Sequence, residues 1–553
     1  MTLPGGRPPA GQQRVTDPVR FLPLLTVTRL VAPILLMFAA IALATGFTQV
    51  QLPNSHEVAH LDYACQVWNG RLPVFENGLL LQVEKSPPVQ WTAQHPPLFY
   101  LLAAPFVGPL LAAGHPETAN LVGRSLNTVI AVVALIAIAW AISRIAPGQR
   151  ARSWTYIGTA VAAAVSPLIR VAAFYNDELA VVFIALGSGI AATVLWAGLT
   201  ARRLTAAAVV AVGLLLTRAN TVIMVALLVL AVAIAGWRGA QGGQARRWLA
   251  AGLAGAVPAL AAAAGAGWFY LRNIRLTGGW TGGHPDWAAE NLGRHQLSVW
   301  HIIRTDPSLG LWQPQWFTHA SARVFHPYFE IGRGAAAVAM AAGVIGAAVL
   351  LVRALRRRAV TWQLIAVVGV VAAQFVGTYA MFVLYRTGTG GSAARYFLPA
   401  LLGFALLVAC GLMALPVRWR RWGLALLLVA ALLPGVQWLY RYQWGFGWSL
   451  NQNTAGGVPV PIVMALMVAF AVGLVIVVAQ MPTEPAPRPW RSTDDAPAST
   501  VPAPAGSAPA VPAPTGSQFT VPPTDGPDPV AHPPSAAHRA ADPIRSAEGG
   551  RLA

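Results

Sequence analysis

Charge is scarce in this chain: 10% of its 553 residues are Asp, Glu, Lys or Arg, against 56% hydrophobic. A soluble domain carries about 25% charged residues, so a soluble globular protein is excluded and a polytopic membrane protein is implied. Cysteine is nearly absent. Cys65 and Cys410 stand in a loop and in an apolar run, which excludes a disulfide framework or a cysteine-based zinc site. Lysine is rarer still, with Lys85 its single occurrence. The formal charge of +19 would suit nucleic acid, but the arginines lie in short loops between apolar runs, so no nucleic-acid partner is implied. The first apolar run is followed by no small-residue cleavage pattern and reads as a retained span.

Apolar runs occur at about residues 30–48, 97–113, 120–142, 154–174, 178–199, 204–217, 220–236, 248–271, 335–352, 361–384, 395–414, 421–440 and 459–480. Charge decides which of them cross. Five loops, beginning with Arg144, Arg202, Arg238, Arg353 and Arg418, hold fifteen arginines and no acid. All eleven acids between residues 18 and 483 fall in the alternate loops. The positive-inside rule places the arginine loops in the cytoplasm. That parity holds only if 97–113, which Pro105 and Pro109 interrupt, stays on the outer side as a re-entrant or interfacial helix. The expected fold is therefore all-α and polytopic, with about 12 transmembrane helices and both termini cytoplasmic. Residues 1–29 form a cytoplasmic segment and 30–480 the membrane domain, with outer loops at 49–119 and 272–334. Residues 481–553 hold 17 of the 44 prolines, a composition that reads as a disordered cytoplasmic tail.

The polar side chains gather in the first outer loop. Residues 51–100 contain four carboxylates, three histidines and Lys85 amid a largely apolar chain. A helix ending at Gly70 would carry Val58, Leu61, Cys65 and Trp68 on one apolar stripe, with His56, His60 and Tyr63 on the other side and Glu57 and Asp62 on opposite flanks. Such a helix would lie along the outer membrane surface. His56-Glu57-Val58-Ala59-His60 also satisfies H-E-x-x-H, the pattern of zinc proteases. The run at 204–217 is short, which would leave Arg218 in a recess below the membrane surface. Residues 272–333 carry Trp280, Trp287, Trp300, Trp312 and Trp316, which suit interfacial anchoring or a sugar-stacking platform.

These residues resemble a family. Glu57-Val58-Ala59-His60-Leu61-Asp62-Tyr63 is similar to the D-E-x-x-H or D-E-x-x-Y signature of GT-C fold glycosyltransferases, the polytopic enzymes related to protein mannosyltransferases and lipid A aminoarabinose transferases. His95-Pro96-Pro97-Leu98-Phe99-Tyr100 resembles their H/K-P-P-L-x-Y element. Asn176-Asp177-Glu178, Leu216-Thr217-Arg218, Trp268 to Asn273 and Arg395-Tyr396-Phe397-Leu398-Pro399 continue the resemblance in order over residues 20–440. It implies sugar transfer, with inversion, from a polyprenyl-phosphate donor to an acceptor hydroxyl on a glycan, lipid or protein, at the outer face of the membrane; the near-total use of arginine over lysine, with abundant Ala, Gly and Pro, suits a bacterial plasma membrane. Polyprenyl phosphate is a good leaving group, so one base for the acceptor proton suffices, and fixed cations must receive the departing phosphate. Lys85, His95, Arg218 and Arg395 are the outer-side candidates for that charge, with His60, Asn176, Asp177 and Tyr396 beside them. The family's catalytic aspartate is His56 in this chain. Glu57 is the carboxylate of the pair that remains, which makes it the expected base, with His56 and Asp62 as the other catalytic candidates and Asp177 as a further possible base. No cofactor is required by this chemistry; a divalent metal stays open. A transporter or lipid flippase, and a membrane metalloprotease, are the alternatives from other classes.

Overall fold

A computed structural model describes residues 21–48, 55–83, 86–165, 173–305, 328–389, 394–444 and 458–482. All of these belong to a unit that ends at Ala486. Lys85 and nearly all of the Pro-rich tail lie outside them.

Helices α1 (Leu24–Thr48), α2 (Ser55–Trp68), α3 (Leu98–Ala112), α4 (Pro116–Ile145), α5 (Ala151–Ala163), α6 (Asp177–Ala197) and α7 (Ala201–Thr217) make the first half. The second half contains α8 (Val222–Gly239), α9 (Gln244–Thr277), α10 (Pro285–Leu292), α11 (Val299–Thr305), α12 (Tyr328–Arg356), α13 (Trp362–Thr389), α14 (Leu401–Ala414), α15 (Val417–Trp444) and α16 (Val460–Ala479). No strand occurs among the described residues. Local chemistry sets several ends. The Thr200 side chain accepts a hydrogen bond from the Arg203 amide and so starts α7. Gly278, with φ of 74°, ends α9 in the left-handed conformation that favours glycine.

Nine helices among the described residues are long and apolar enough to cross a membrane, and the protein is a multi-pass membrane protein. The other three runs expected to span are helical as well. Helix α5 has 13 residues and stops at Ala163, just before residues 166–172, which lie outside the description. Helix α7 has 17, about 26 Å at 1.5 Å per residue, short against a hydrocarbon core of about 30 Å. Helix α15 runs for 28 residues.

The bundle is built on small residues. Helices α4 and α6 pack along one another, as do α8 and α9, α12 and α14, and α1 and α16. A side chain added at Gly343 or Gly346 would run into the α14 backbone at Leu407 or Cys410, so these glycines let the two helices approach closely. A second, smaller core lies at the end of the bundle where α2 and α3 meet the start of α6. It is made by Val58, Leu61, Tyr63, Phe99, Tyr100, Phe174 and their neighbours.

That core changes the expected position of α2. The helix does not lie on a surface: every residue from Glu57 to Ala64 is buried, and Trp68 is the stripe residue left exposed. An amphipathic pattern records only the sharper of two buried faces when α3 and the 79–95 loop cover the polar one. Helix α3 itself has 15 residues, about 22 Å, short against a hydrocarbon core of about 30 Å. Cysteines introduced at the exposed Asn69, Glu117 and Arg202 test this, with Cys65 and Cys410 replaced by serine. A membrane-impermeant maleimide applied from one side is expected to label 69 and 117 together and to spare 202. Labelling of 69 and 117 from opposite sides would make α3 a crossing helix.

Candidate active site

The first turn of α2 carries His56, and His60 follows one turn later on the same face. Both line a cleft enclosing about 950 Å³ of empty space, open solvent included. Its other walls come from Trp91, Gln94 and His95 in the loop before α3, Asp177 at the start of α6, and Arg218 and Asn220 after α7. Thr378, Phe382 and Tyr385 of α13 and Arg395 and Tyr396 before α14 close it.

Asp177 is the centre of charge. Arg218 Nη1 pairs with its Oδ1, and Arg395 Nε stands 3.7 Å from its Oδ2. Asn176 braces the arrangement: its Nδ2 donates to the Thr217 carbonyl at 3.2 Å, and its Oδ1 accepts from Arg218 at 3.4 Å. The Arg395 guanidinium lies 4.3 Å from the centre of the Tyr175 ring, a cation–π contact. Two guanidiniums thus face the one carboxylate that lines the cleft.

The histidines are held neutral. Burial pushes His56 down from its ordinary value to about 4, and the positive charges of Arg395 and Arg294 push in the same direction. Burial also holds His60 and His95 well below the usual range, with further contributions from neighbouring histidine and arginine. His60 stacks on His95 with ring centres 5.5 Å apart, and its Nδ1 lies 2.7 Å from the Tyr100 hydroxyl.

Glu57 is not in this cleft. It is fully buried, and its two oxygens take both arms of Arg124 at 2.9 Å, with the Phe174 amide donating to Oε1 at 3.0 Å. A carboxylate held by a bidentate guanidinium is engaged on both oxygens, and the structure places Glu57 apart from the residues that line the cleft. Asp62 is withdrawn too. It accepts from the Leu81 amide at 2.7 Å, Gln66 at 2.8 Å and Gln90 at 2.6 Å. Burial raises its pKa and these bonds pull it back. Asp62 therefore anchors the 79–92 loop to α2. Gln90 and Thr92 add bonds to the Ala59 carbonyl, which fixes Trp91, Gln94 and His95 at the cleft wall.

The zinc-protease pattern fails at its glutamate. His56 and His60 face the cleft, but Glu57 points to the other side of the helix, where no general base could serve a metal-bound water. Among the described residues no group of three or more His, Cys, Asp or Glu side chains is placed to hold a metal ion.

The structure thus brings together His56, His60, His95, Asp177, Arg218, Arg395 and Tyr396, with Asn176 behind them, and separates Glu57 and Asp62 from them. Sequence reasoning passed over Trp91, Gln94, Thr378 and Tyr385, which carry no charge signal. It also passed over Arg124, though an arginine inside the apolar run 120–142 is a signal in itself.

No family model matches the chain, and no curated protein matches it. Solved structures do resemble it. ArnT from Cupriavidus metallidurans bound to undecaprenyl phosphate is 15% identical, over 82% of this chain and 74% of that one, with a TM-score of 0.42. The same protein in its apo state is 15% identical over 80% and 75%, with a TM-score of 0.41. The apo oligosaccharyltransferase of Archaeoglobus fulgidus is 14% identical at a TM-score of 0.42; the match covers 84% of this chain but 57% of that longer one.

Proposed function

We propose that this protein is a GT-C-type membrane glycosyltransferase that moves a sugar from a polyprenyl-phosphate donor to an acceptor hydroxyl at the outer face. The observation that carries this reading is the convergence of Arg218 and Arg395 on Asp177 in one cleft with neutral histidines. The ordered motifs of the sequence support it. A polyprenyl-phosphate sugar is a phosphodiester with one negative charge, which the two guanidiniums of the cleft suit. The acceptor oxygen attacks the anomeric carbon from the face opposite the phosphate, the bond from that carbon to the phosphate oxygen breaks, and the electron pair leaves with the phosphate. The configuration inverts. The leaving group gains a second negative charge as it departs, and the two guanidiniums are placed to receive it.

The acceptor proton goes to His56. This residue occupies the position of the family's aspartate, lines the cleft and is uncharged, whereas both oxygens of Asp177 face guanidiniums. With a pKa of about 4, its basicity matches that of an ordinary aspartate at about 3.9.

Arg218→Ala tests the donor site. Binding of undecaprenyl phosphate to the purified protein in nanodiscs is expected to weaken by about 2 kcal/mol or more, some thirtyfold, through loss of a charge-assisted partner. Unchanged affinity would make Arg218 a support for Asp177 alone. Flipping of the lipid without transfer of sugar would turn the reading toward a transporter.

A further inference from the structure

The two guanidiniums at Asp177 are held in different ways. Arg218 sits on a fixed turn. Its amide donates to the Leu214 carbonyl at 3.3 Å, and the Thr221 hydroxyl lies 2.6 Å from that carbonyl and 2.8 Å from the Arg218 carbonyl. Its side chain pairs with Asp177 and also donates to Asn176 Oδ1. Arg395 has a looser tie. Its Nε is 3.7 Å from Asp177 Oδ2, beyond the limit of about 3.2 Å for a good N–H···O bond, and its side chain is 25% exposed. An ion pair that long and that open to water gives little orientation. The nearer of its two ring contacts is Tyr175, with the guanidinium carbon 4.3 Å from the ring centre, against 5.7 Å for Tyr396.

Tyr175 is itself fixed. Its carbonyl accepts from Asn127 Nδ2 at 2.9 Å, and the Ala173 carbonyl accepts from the same nitrogen at 2.8 Å, which pins this stretch of chain to α4. The ring meets that of His60 on α2 at 5.0 Å in a T-shaped contact, and His60 is held in turn by Tyr100. Asn176 and Asp177 follow directly. Three consecutive residues therefore address both cations: Tyr175 meets Arg395, Asn176 meets Arg218, and Asp177 meets both.

An aromatic ring suits a cation that must keep its charge. A second carboxylate would hold Arg395 firmly, but it would cancel the charge and occupy the N–H donors. The negative face of a ring attracts the guanidinium and leaves its in-plane N–H groups free for phosphate oxygens. We infer that Tyr175 is a positioning residue for the donor: its ring face holds the Arg395 guanidinium in the cleft where the departing phosphate gains charge. This rests on the glycosyltransferase reading and adds to it a residue that the Asn176-Asp177-Glu178 motif leaves out.

The test uses the full chain in nanodiscs and two readouts. Phenylglyoxal, which reacts with guanidinium groups, is scored at Arg395 by peptide mass spectrometry, and undecaprenyl phosphate binding is titrated in parallel. In Tyr175→Leu, Arg395 should react about tenfold faster and undecaprenyl phosphate should bind about tenfold more weakly, the effect of losing a cation–π partner. Tyr175→Phe keeps the ring face and should hold both readouts within about threefold of native. Added to Arg395→Gln, Tyr175→Leu should cost no further affinity, because the two side chains act as a unit. Unchanged reactivity of Arg395 in folded Tyr175→Leu, equal losses in the Leu and Phe variants, or additive losses in the double variant would overturn the inference. Failure of the native protein to bind undecaprenyl phosphate would instead sink the donor reading, and the reagent would still decide whether Tyr175 holds Arg395.

Discussion

Glu57→Ala is expected to destabilise the protein by about 3–5 kcal/mol, the usual cost of leaving one member of a buried ion pair without its partner. Arg124 is 1% exposed and its guanidinium has both arms on Glu57, with a longer bond of 3.3 Å to the Gly46 carbonyl. Removing the carboxylate strands that charge between α1, α2 and α4. The thermal unfolding midpoint of the solubilised protein should fall sharply. Replacing both residues by methionine should recover most of the loss, because two apolar side chains of similar volume remove the unpaired charge. Glu57→Gln should retain transfer per folded molecule within about tenfold, short of the 10²–10⁴-fold loss that marks a missing general base. A loss of that larger size in folded Glu57→Gln would return the base to Glu57 and undo the assignment to His56.

His56→Ala is expected to reduce turnover about 10²–10⁴-fold while leaving undecaprenyl phosphate affinity near native. His56→Asp, which places there the aspartate of the signature the sequence resembles, should rescue much of the activity. The pH profile carries a further signature. Part of the depression of His56 comes from Arg395 and Arg294, and a bound phosphate offsets that positive field. Burial, the larger cause, remains in the donor complex, so the pKa stays well below its ordinary value and above about 4. A base works only when neutral, so turnover should be level near neutral pH and fall as the pH drops toward about 4. Donor binding, which favours protonated His56, should tighten in the same direction. A flat profile over that range, or near-native transfer by His56→Ala with loss in Asp177→Asn, would move the base to Asp177.

The apolar helices were legible because burial in hydrocarbon demands long apolar runs. The cations of the cleft were legible for the same reason: Arg218 and Arg395 stand out against an apolar background. The face that Glu57 presents was not. Helical periodicity ranks residues by hydrophobicity around one axis, and it assumed a single apolar neighbour for α2. The helix is instead enclosed by α3, α4 and the 79–95 loop, so a buried carboxylate could find its partner 67 residues away. Trp91 and Gln94 were hidden because their placement depends on Asp62, a residue that looked catalytic and serves as the anchor of their loop.

The spacing of Asp177, Arg218 and Arg395 along the chain has a consequence for how the protein is made. Chains emerge from the ribosome N-terminus first, at about 5–20 residues per second. Asp177 and Arg218, 41 residues apart, reach the bilayer as neighbouring hairpin ends, and each masks the charge of the other while α6 and α7 insert. Arg395 follows 177 residues after Arg218, on the order of ten seconds or more at that pace. Until then Asp177 lacks its second guanidinium, so on the proposed reading the phosphate site is completed only with the helices that complete the bundle.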